Sequence, residues 1–120
     1  MGKVRFQVAS RARRKRLINQ AKGYYGARKS HIKRVKETVM RAMAYSTRDR
    51  HNKKREFRSL WVVRLNAAAR SRGLSYSQLI AAFRKANIAL NRKQLSELAI
   101  NDAPAFDQLL AAAVGPTSRS

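Results

Sequence analysis

This chain of 120 residues has no cysteine, two prolines and only six Asp or Glu residues. The absence of cysteine excludes disulfides and thiolate metal sites. Six carboxylates against 28 Lys and Arg give a formal net charge of +22. Because self-repulsion of this size destabilises a compact state, the composition predicts a polyanionic partner, either nucleic acid or an anionic membrane surface.

Long apolar runs are also missing. No segment approaches the roughly 20 apolar residues that a membrane-spanning helix needs. The basic N-terminal residues are not followed by the apolar run of about seven residues that is typical of a secretory signal. An organellar transit peptide is the alternative interpretation of this Arg-rich start. We expect a soluble, intracellular protein.

Residues suited to catalysis are few. His31 and His51 lie far apart in the sequence, the carboxylates are scattered, and no Gly-rich phosphate loop or nucleophile elbow occurs. A histidine on a basic helix more often adds a hydrogen-bond donor than a metal ligand. We therefore expect no enzymatic activity, no cofactor, no metal site and no small-molecule substrate.

Charge and apolar residues divide the chain into two parts. Residues 1–58 contain 20 Lys or Arg against 3 Asp or Glu, whereas residues 59–120 contain 8 against 3 and are rich in Leu, Ile and Ala. No alternating strand pattern is present, and the residues favour helix. The sequence predicts an all-α protein with a long, kinked basic helical arm at 1–58, a compact helical module at 59–114 and a loose tail at 115–120.

Two helices are predicted in the arm. The first has an apolar face formed by Val8, Ala12, Ile18 and Ala21, and Gly23 can end it. Neither Gly nor Pro occurs between Gly26 and Gly73, which predicts a second helix of about 45 residues. Its narrow apolar stripe consists of Ile32, Val35, Val39 and Met43. With so few apolar residues, we expect the arm to have no core of its own.

The stripe stops at Ser46, and residues 46–56 contain no large apolar side chain. This segment has six basic side chains, counting His51, and two acidic ones, so pairs within the helix cannot neutralise it. A helix that is polar on all sides is unstable alone unless something covers it. A solvated single helix is the simpler interpretation, but docking on phosphates explains the charge better.

The module carries ordinary helix-start signals. Ser75 with Gln78, and Asn91 with Gln94, match the capping-box pattern, whereas Asp102 precedes Pro104 at a third start. Asn87 and Gly115 are suited to end helices. The expected apolar faces are Phe57, Leu60, Trp61, Leu65 and Ala68; Leu79, Ile80, Phe83 and Ala86; Leu95, Leu98 and Ala99; and Phe106, Leu109, Leu110 and Ala113. We expect Trp61 to pack in this core rather than to serve as a stacking platform.

Two motifs in the arm favour nucleic acid. RARRKR at 11–16 distributes charge around the whole helix, whereas a membrane-surface helix needs one charged and one apolar face. This pattern fits a helix surrounded by phosphates, in RNA or DNA. GYYG at 23–26 combines a hinge at Gly23 and Gly26 with two aromatic rings. Tyr24 and Tyr25 either pack on neighbouring helix or stack on a base or ribose, and both interpretations stay open.

Three sequence blocks resemble one family closely: AKGYYGAR at 21–28, RDRHNKKREFRSLWVVRLNAAARSRGLSYSQLI at 48–80 and LNRKQLSELAI at 90–100. The family is the bacterial-type large-subunit ribosomal protein twenty, and the match extends over about residues 8–114. The resemblance implies a helical extension that penetrates large-subunit ribosomal RNA, and a helical module on the same RNA. It further implies neighbouring ribosomal proteins as partners, a role in early subunit assembly and, through the module, translational autorepression.

The resemblance also implies which residues contact RNA. Transferred by motif, they are Arg11, Arg13, Arg14, Lys15, Arg16, Lys22, Tyr24, Tyr25, Arg28, Arg48, Arg50, Lys53, Lys54, Arg55, Arg58, Arg64, Asn66 and Arg70. Adjacent polar residues, namely Lys29, Lys33, Arg34, His51 and Asn52, complete the predicted interface. The expected location is the ribosome, in the bacterial cytoplasm or in the matrix or stroma of an organelle.

The sequence departs from the family pattern at two places. The start MGKVRF lacks the usual proline, and Thr47 replaces the tyrosine that commonly precedes RDR, with Tyr45 two positions earlier. A rival interpretation is a DNA-compacting or helix-turn-helix regulator, since residues 76–100 can form two helices with a short turn. However, the helix that follows its turn segment NIALN is not rich in base-reading side chains. A membrane-active peptide is a third alternative.

We predict that the module folds alone and that the arm becomes ordered mainly on RNA, because the arm buries little apolar surface. Amide hydrogen exchange on the free protein measures this directly. Residues 27–56 should exchange fast without nucleic acid and slowly with it. Strong protection throughout residues 27–56 in the free protein contradicts the prediction.

Overall fold

The structure is a computed structural model that describes residues 7–115. Over this range the only regular elements are helices: α1 (Gln7–Gln20), a 3-10 turn (Gly26–Arg28), α2 (Ile32–Arg70), α3 (Tyr76–Lys85), α4 (Arg92–Asn101) and α5 (Ala103–Val114). The all-α prediction is therefore confirmed. The start MGKVRF and residues 116–120 of the predicted tail lie outside the described residues.

Contacts divide the chain into two compact units, residues 1–52 and residues 53–120, and α2 contributes residues to both. The predicted boundary at residue 58 stays a prediction. The helix α2 has 39 residues rather than about 45, because the chain after Gly26 first makes a 3-10 turn. That turn leads into α2 through a hydrogen bond from the Val35 amide to the His31 carbonyl, at 2.8 Å.

The first unit has a small apolar core, which corrects the expectation that the arm has none. Ala21, Val35 and Val39 are buried together, and Leu17 and Ile18 from the last turn of α1 pack against them. The chain can change direction after α1 because Gly23 has a φ of +93°, which residues with a Cβ rarely adopt. Met43, the last member of the predicted stripe, is 55% exposed.

The helix starts of the second unit follow the sequence signals. Ser75 and Asn91 both form complete capping boxes, with Gln78 and Gln94 respectively. The carboxylate of Asp102 accepts a hydrogen bond from the Ala105 amide, at 3.0 Å, at the start of α5. Asn87 has a φ of +54° just after α3, as a residue that ends a helix often does.

A single cluster forms the core of the second unit. Its buried side chains are Leu65, Ala69, Leu79, Phe83, Leu95 and Phe106, which come from four helices. The rings of Phe83 and Phe106 meet edge to face with centroids 6.1 Å apart, a favourable aromatic geometry. Most of the predicted apolar faces of α3, α4 and α5 are confirmed by this cluster.

Removing one capping side chain should destabilise the second unit by a predictable amount. Ser75→Ala leaves the Gln78 amide without its side-chain acceptor, so we expect the free energy of unfolding to fall by about 1 kcal/mol. The control is Ser59→Ala, at an exposed position inside α2, which should change it by less than about 0.5 kcal/mol. Urea unfolding measures both, and equal effects would show that the cap contributes nothing.

Candidate nucleic-acid interface

Helix α1 presents cations in every direction. Arg11, Arg13, Arg14, Lys15 and Arg16 are all exposed, and α1 contains no buried residue. Because successive side chains on a helix turn by about 100°, these five side chains extend around the full circumference. A single flat anionic surface cannot neutralise all of them, whereas phosphates on several sides can.

The turn after α1 separates the two adjacent tyrosines. Tyr25 is 94% exposed, whereas Tyr24 is 37% exposed and lines a groove of about 360 Å³ against α2. Arg28, Arg34, Arg41 and Tyr45 line the same groove, which we call the tyrosine groove. The structure thus brings three of the predicted contact residues, Tyr24, Arg28 and Arg34, to one place. The other predicted residues of this turn and of the start of α2 are exposed, namely Lys22, Gly23, Gly26, Lys29 and Lys33.

Sequence reasoning did not include Arg41 in the interface. Its guanidinium lies 2.8 Å from the carboxylate of Glu37, and Arg34 approaches the same carboxylate at 4.0 Å. The carboxylate therefore holds two arginines beside the tyrosine groove, although such exposed pairs contribute little stability. In the sequence, Arg34 lies three residues before Glu37 and Arg41 lies four residues after it, and this spacing could have predicted the two pairs. Tyr45, the aromatic residue displaced from the family pattern, also lines this groove.

The polar middle of α2 organises its own arginines. Arg50 donates to the hydroxyls of Ser46, at 2.8 Å, and Thr47, at 3.2 Å. Arg48 pairs with Asp49 at 3.0 Å and lies 4.7 Å from the centroid of the Tyr45 ring. Among the described residues this is the only ion pair within 46–56, so most of the local charge is not neutralised by the protein. His51 is exposed and Asn52 is half-buried.

The second unit has a larger groove, of about 690 Å³, between α2 and the first turns of α4. We call it the basic aromatic groove; it is lined by Lys53, Lys54, Phe57, Arg58, Leu60, Trp61, Arg64, Asn91, Arg92, Lys93 and Glu97. Four predicted contact residues, Lys53, Lys54, Arg58 and Arg64, therefore lie together. Arg92 and Lys93 were missed, because only tertiary packing brings α4 beside α2.

The prediction that Trp61 packs in the core is wrong. Trp61 is half-buried and lies outside the buried cluster, whereas Phe57 and Leu60 are 46% and 40% exposed. The buried members that α2 contributes to that cluster are Leu65 and Ala69, which follow Trp61 in the sequence. The α4 residues that line the groove beside Phe57, Leu60 and Trp61 are the polar Arg92, Lys93 and Glu97.

The last predicted contacts lie near the end of α2. Arg55 and Arg70 are exposed, and Asn66 is half-buried and accepts a hydrogen bond from Arg70 at 3.3 Å. Arg72, only two residues beyond Arg70, has a structural role instead. Its guanidinium pairs with Asp107, donates to the Ala68 carbonyl at 2.9 Å and lies 5.0 Å from the centroid of the Phe106 ring.

Both histidines and all six carboxylates of the chain lie within residues 7–115. In this range no group of three or more His, Cys, Asp or Glu side chains is placed to hold a metal ion. None of the described helices combines the length and the apolar character needed to cross a membrane. The predicted contact residues lie on the basic surfaces of α1 and α2 and in the two grooves.

An all-helical fold with exposed cations around α1 and along α2 is typical of structural nucleic-acid-binding proteins. The sequence matches the family described as ribosomal protein L20 over residues 3–109, and the chain belongs to this family. It is therefore a structural protein of the large ribosomal subunit, in the cytoplasm or in an organelle. Ribosomal RNA and neighbouring ribosomal proteins are the partners that this family implies, and its typical role is structural rather than enzymatic.

The neighbouring residues Arg70 and Arg72 should respond differently to substitution. Arg72→Gln removes the pairing with Asp107 and the contact with Phe106, so we expect the free energy of unfolding of the second unit to fall by about 1 kcal/mol. Arg70→Gln removes an exposed cation and should change it by less than about 0.5 kcal/mol. Thermal or urea unfolding measures both variants, and a larger loss for Arg70→Gln would reverse this assignment.

Proposed function

We propose that this protein binds large-subunit ribosomal RNA directly and promotes folding of that RNA early in subunit assembly. The observation that carries the proposal is the set of exposed cations around α1 and along α2, which has few carboxylates within reach. Phosphates that are packed closely repel one another, and cationic side chains that replace their counterions lower this cost. Helices with charge on all sides suit a site where RNA segments converge.

The proposal assigns different roles to the two predicted parts. Residues 1–58 act as the RNA-penetrating arm, with Gly23 and Gly26 as its hinge. The positive φ values of both glycines, +93° and +59°, support a change of chain direction there. Residues 59–114 act as the folded RNA-binding module. The tyrosine groove and the basic aromatic groove offer contacts beyond simple charge, because aromatic rings can stack on bases.

Translational autorepression through the module stays a prediction from the family resemblance. A protein that binds a folded ribosomal RNA segment can also bind a messenger segment of similar shape, since RNA recognition depends largely on shape. The same module surface would serve both RNAs. The two activities would then compete for one binding site.

Binding should depend steeply on salt. If about ten phosphates are neutralised, the slope of log affinity against log salt should lie near −7 to −9. Removal of one contacting cation, as in Arg55→Ala, should make this slope shallower by about 0.7 to 0.9. The control is Arg84→Ala, an exposed arginine in the last turn of α3 outside the predicted interface, which should leave the slope unchanged.

Filter binding of the full chain to a folded large-subunit RNA fragment, repeated over a range of salt concentrations, gives these slopes. Competition with duplex DNA at matched salt separates the proposal from a DNA-binding role for α3 and α4. We expect the RNA fragment to be preferred. A nearly flat salt response, or equal competition by duplex DNA, would refute direct and selective binding of ribosomal RNA.

A further inference from the structure

The basic aromatic groove has an apolar floor that the protein itself does not cover. Phe57, Leu60 and Trp61 follow one another on one side of α2, and the rings of Phe57 and Trp61 have centroids 6.3 Å apart with planes tilted by 35°. Exposed apolar area of this kind is unfavourable relative to burial. A bound group that covers the two rings would recover that free energy.

The charges at the rim of the groove favour an anionic occupant. Six cations, namely Lys53, Lys54, Arg58, Arg64, Arg92 and Lys93, surround the floor with one carboxylate, that of Glu97. The Lys53 ammonium lies 5.9 Å from the centroid of the Phe57 ring. Protein-binding surfaces are usually depleted of lysine in their centre, so this groove is a poor match for an apolar protein segment and a good match for an anion.

One side of the groove offers hydrogen-bond donors and positive charge to a phosphate. The first turn of α4 enters it with Asn91, Arg92 and Lys93, where a helix has a partial positive charge. The capping box uses the amides of Asn91 and Gln94, so the amides of Arg92 and Lys93 are the ones that can donate to a phosphate. The Arg92 guanidinium is oriented by the hydroxyl of Tyr76, at 2.9 Å, through its Nε atom. Its terminal nitrogens stay able to donate to a phosphate. Phosphate donors and stacking surfaces thus lie in the same groove.

We infer that the basic aromatic groove holds one unpaired nucleotide, whose base stacks on Phe57 and Trp61 and whose phosphate lies at the first turn of α4. The inference rests on the proposed function, because it takes that nucleotide from the bound RNA. A groove of about 690 Å³ is within the range of about 300–1,000 Å³ typical of small-ligand sites. A base inside a duplex has both faces stacked, so only an unstacked base can cover the rings.

Glu97 determines how this nucleotide is oriented in the groove. Its carboxylate accepts hydrogen bonds and repels phosphate, so the phosphate lies away from Glu97 and the base edge lies toward it. Bases that present N–H groups on that edge are favoured over an edge of carbonyl oxygens. Guanine, which offers two adjacent N–H donors, should therefore bind better than uracil.

Trp61 is the only tryptophan of the chain, so its fluorescence reports on this groove alone. The full chain is titrated with a single-stranded guanine-containing RNA hexamer, with an abasic hexamer of the same charge and with inorganic polyphosphate. We expect saturable quenching by the RNA hexamer only, since stacking requires a base. Equal quenching by the abasic hexamer or polyphosphate would overturn the inference and show that the groove binds anions without stacking.

Substitution of the second ring tests the geometry while the reporter is kept. Phe57→Leu should raise the RNA concentration at half-maximal quenching at least about fivefold, because one stacking ring is lost. The control is Val63→Ala, at an exposed apolar position on α2 outside the groove, which should leave that concentration unchanged. Far-UV circular dichroism checks that both variants stay helical, and equal midpoints for Phe57→Leu and the unsubstituted chain would overturn the inference.

Failure of this inference can be distinguished from failure of the proposed function. Anisotropy of a labelled RNA reports binding anywhere on the chain. Binding that leaves Trp61 emission unchanged would overturn the nucleotide site and leave direct RNA binding intact, whereas absence of any binding would refute both. A concentration-dependent blue shift of Trp61 without RNA would indicate that a second copy of the chain covers the groove, which also overturns the inference.

Discussion

Mutual repulsion among 28 Lys and Arg side chains, opposed by only six carboxylates, is the constraint on which the rest of the structure depends. Ion pairs within the chain cannot relieve it, since Glu37, Asp49 and Asp107 engage only a few of the arginines. Most of the cations among the described residues lie at exposed positions. Ribosomal RNA, the partner that the family implies, would supply the opposite charge, so a composition that disfavours a free compact protein suits a ribosomal one.

Stability against this repulsion comes from short stretches of apolar packing. In the second unit, four helices share one buried cluster around Phe106, and three side-chain caps fix where α3, α4 and α5 begin. In the first unit, the packing is limited to Ala21, Val35 and Val39 with the end of α1. Helix α2 has no buried side chain over residues 46–56, and this is the segment that we expect to depend most on RNA.

The two grooves show how a basic surface can do more than neutralise phosphate. Each combines arginine or lysine side chains with aromatic rings: Tyr24 and Tyr45 in the tyrosine groove, Phe57 and Trp61 in the basic aromatic groove. Charge alone attracts any phosphate backbone, whereas stacking selects bases that have left a helix. Under the proposed function, this combination would let the protein recognise folded RNA rather than a uniform duplex.

Much of the protein is determined by its sequence. Helix periodicity, the caps at Ser75, Asn91 and Asp102, and the breaks at Gly23 and Gly73 are local effects, so they predict the helices without tertiary information. The cations exposed on α1 and α2 were likewise predictable, because such a density of charge cannot be buried. Family membership followed from contiguous motifs and was confirmed over residues 3–109.

Only the tertiary structure decided which faces are covered. The pattern of Phe57, Leu60, Trp61 and Leu65 predicts one continuous apolar face, yet only Leu65 is buried, and the other three line a groove whose α4 residues are polar. The small core at Ala21 and the structural role of Arg72 could not be predicted from the sequence either. All three depend on contacts between residues distant in sequence, and periodicity along one helix contains no information about its neighbours.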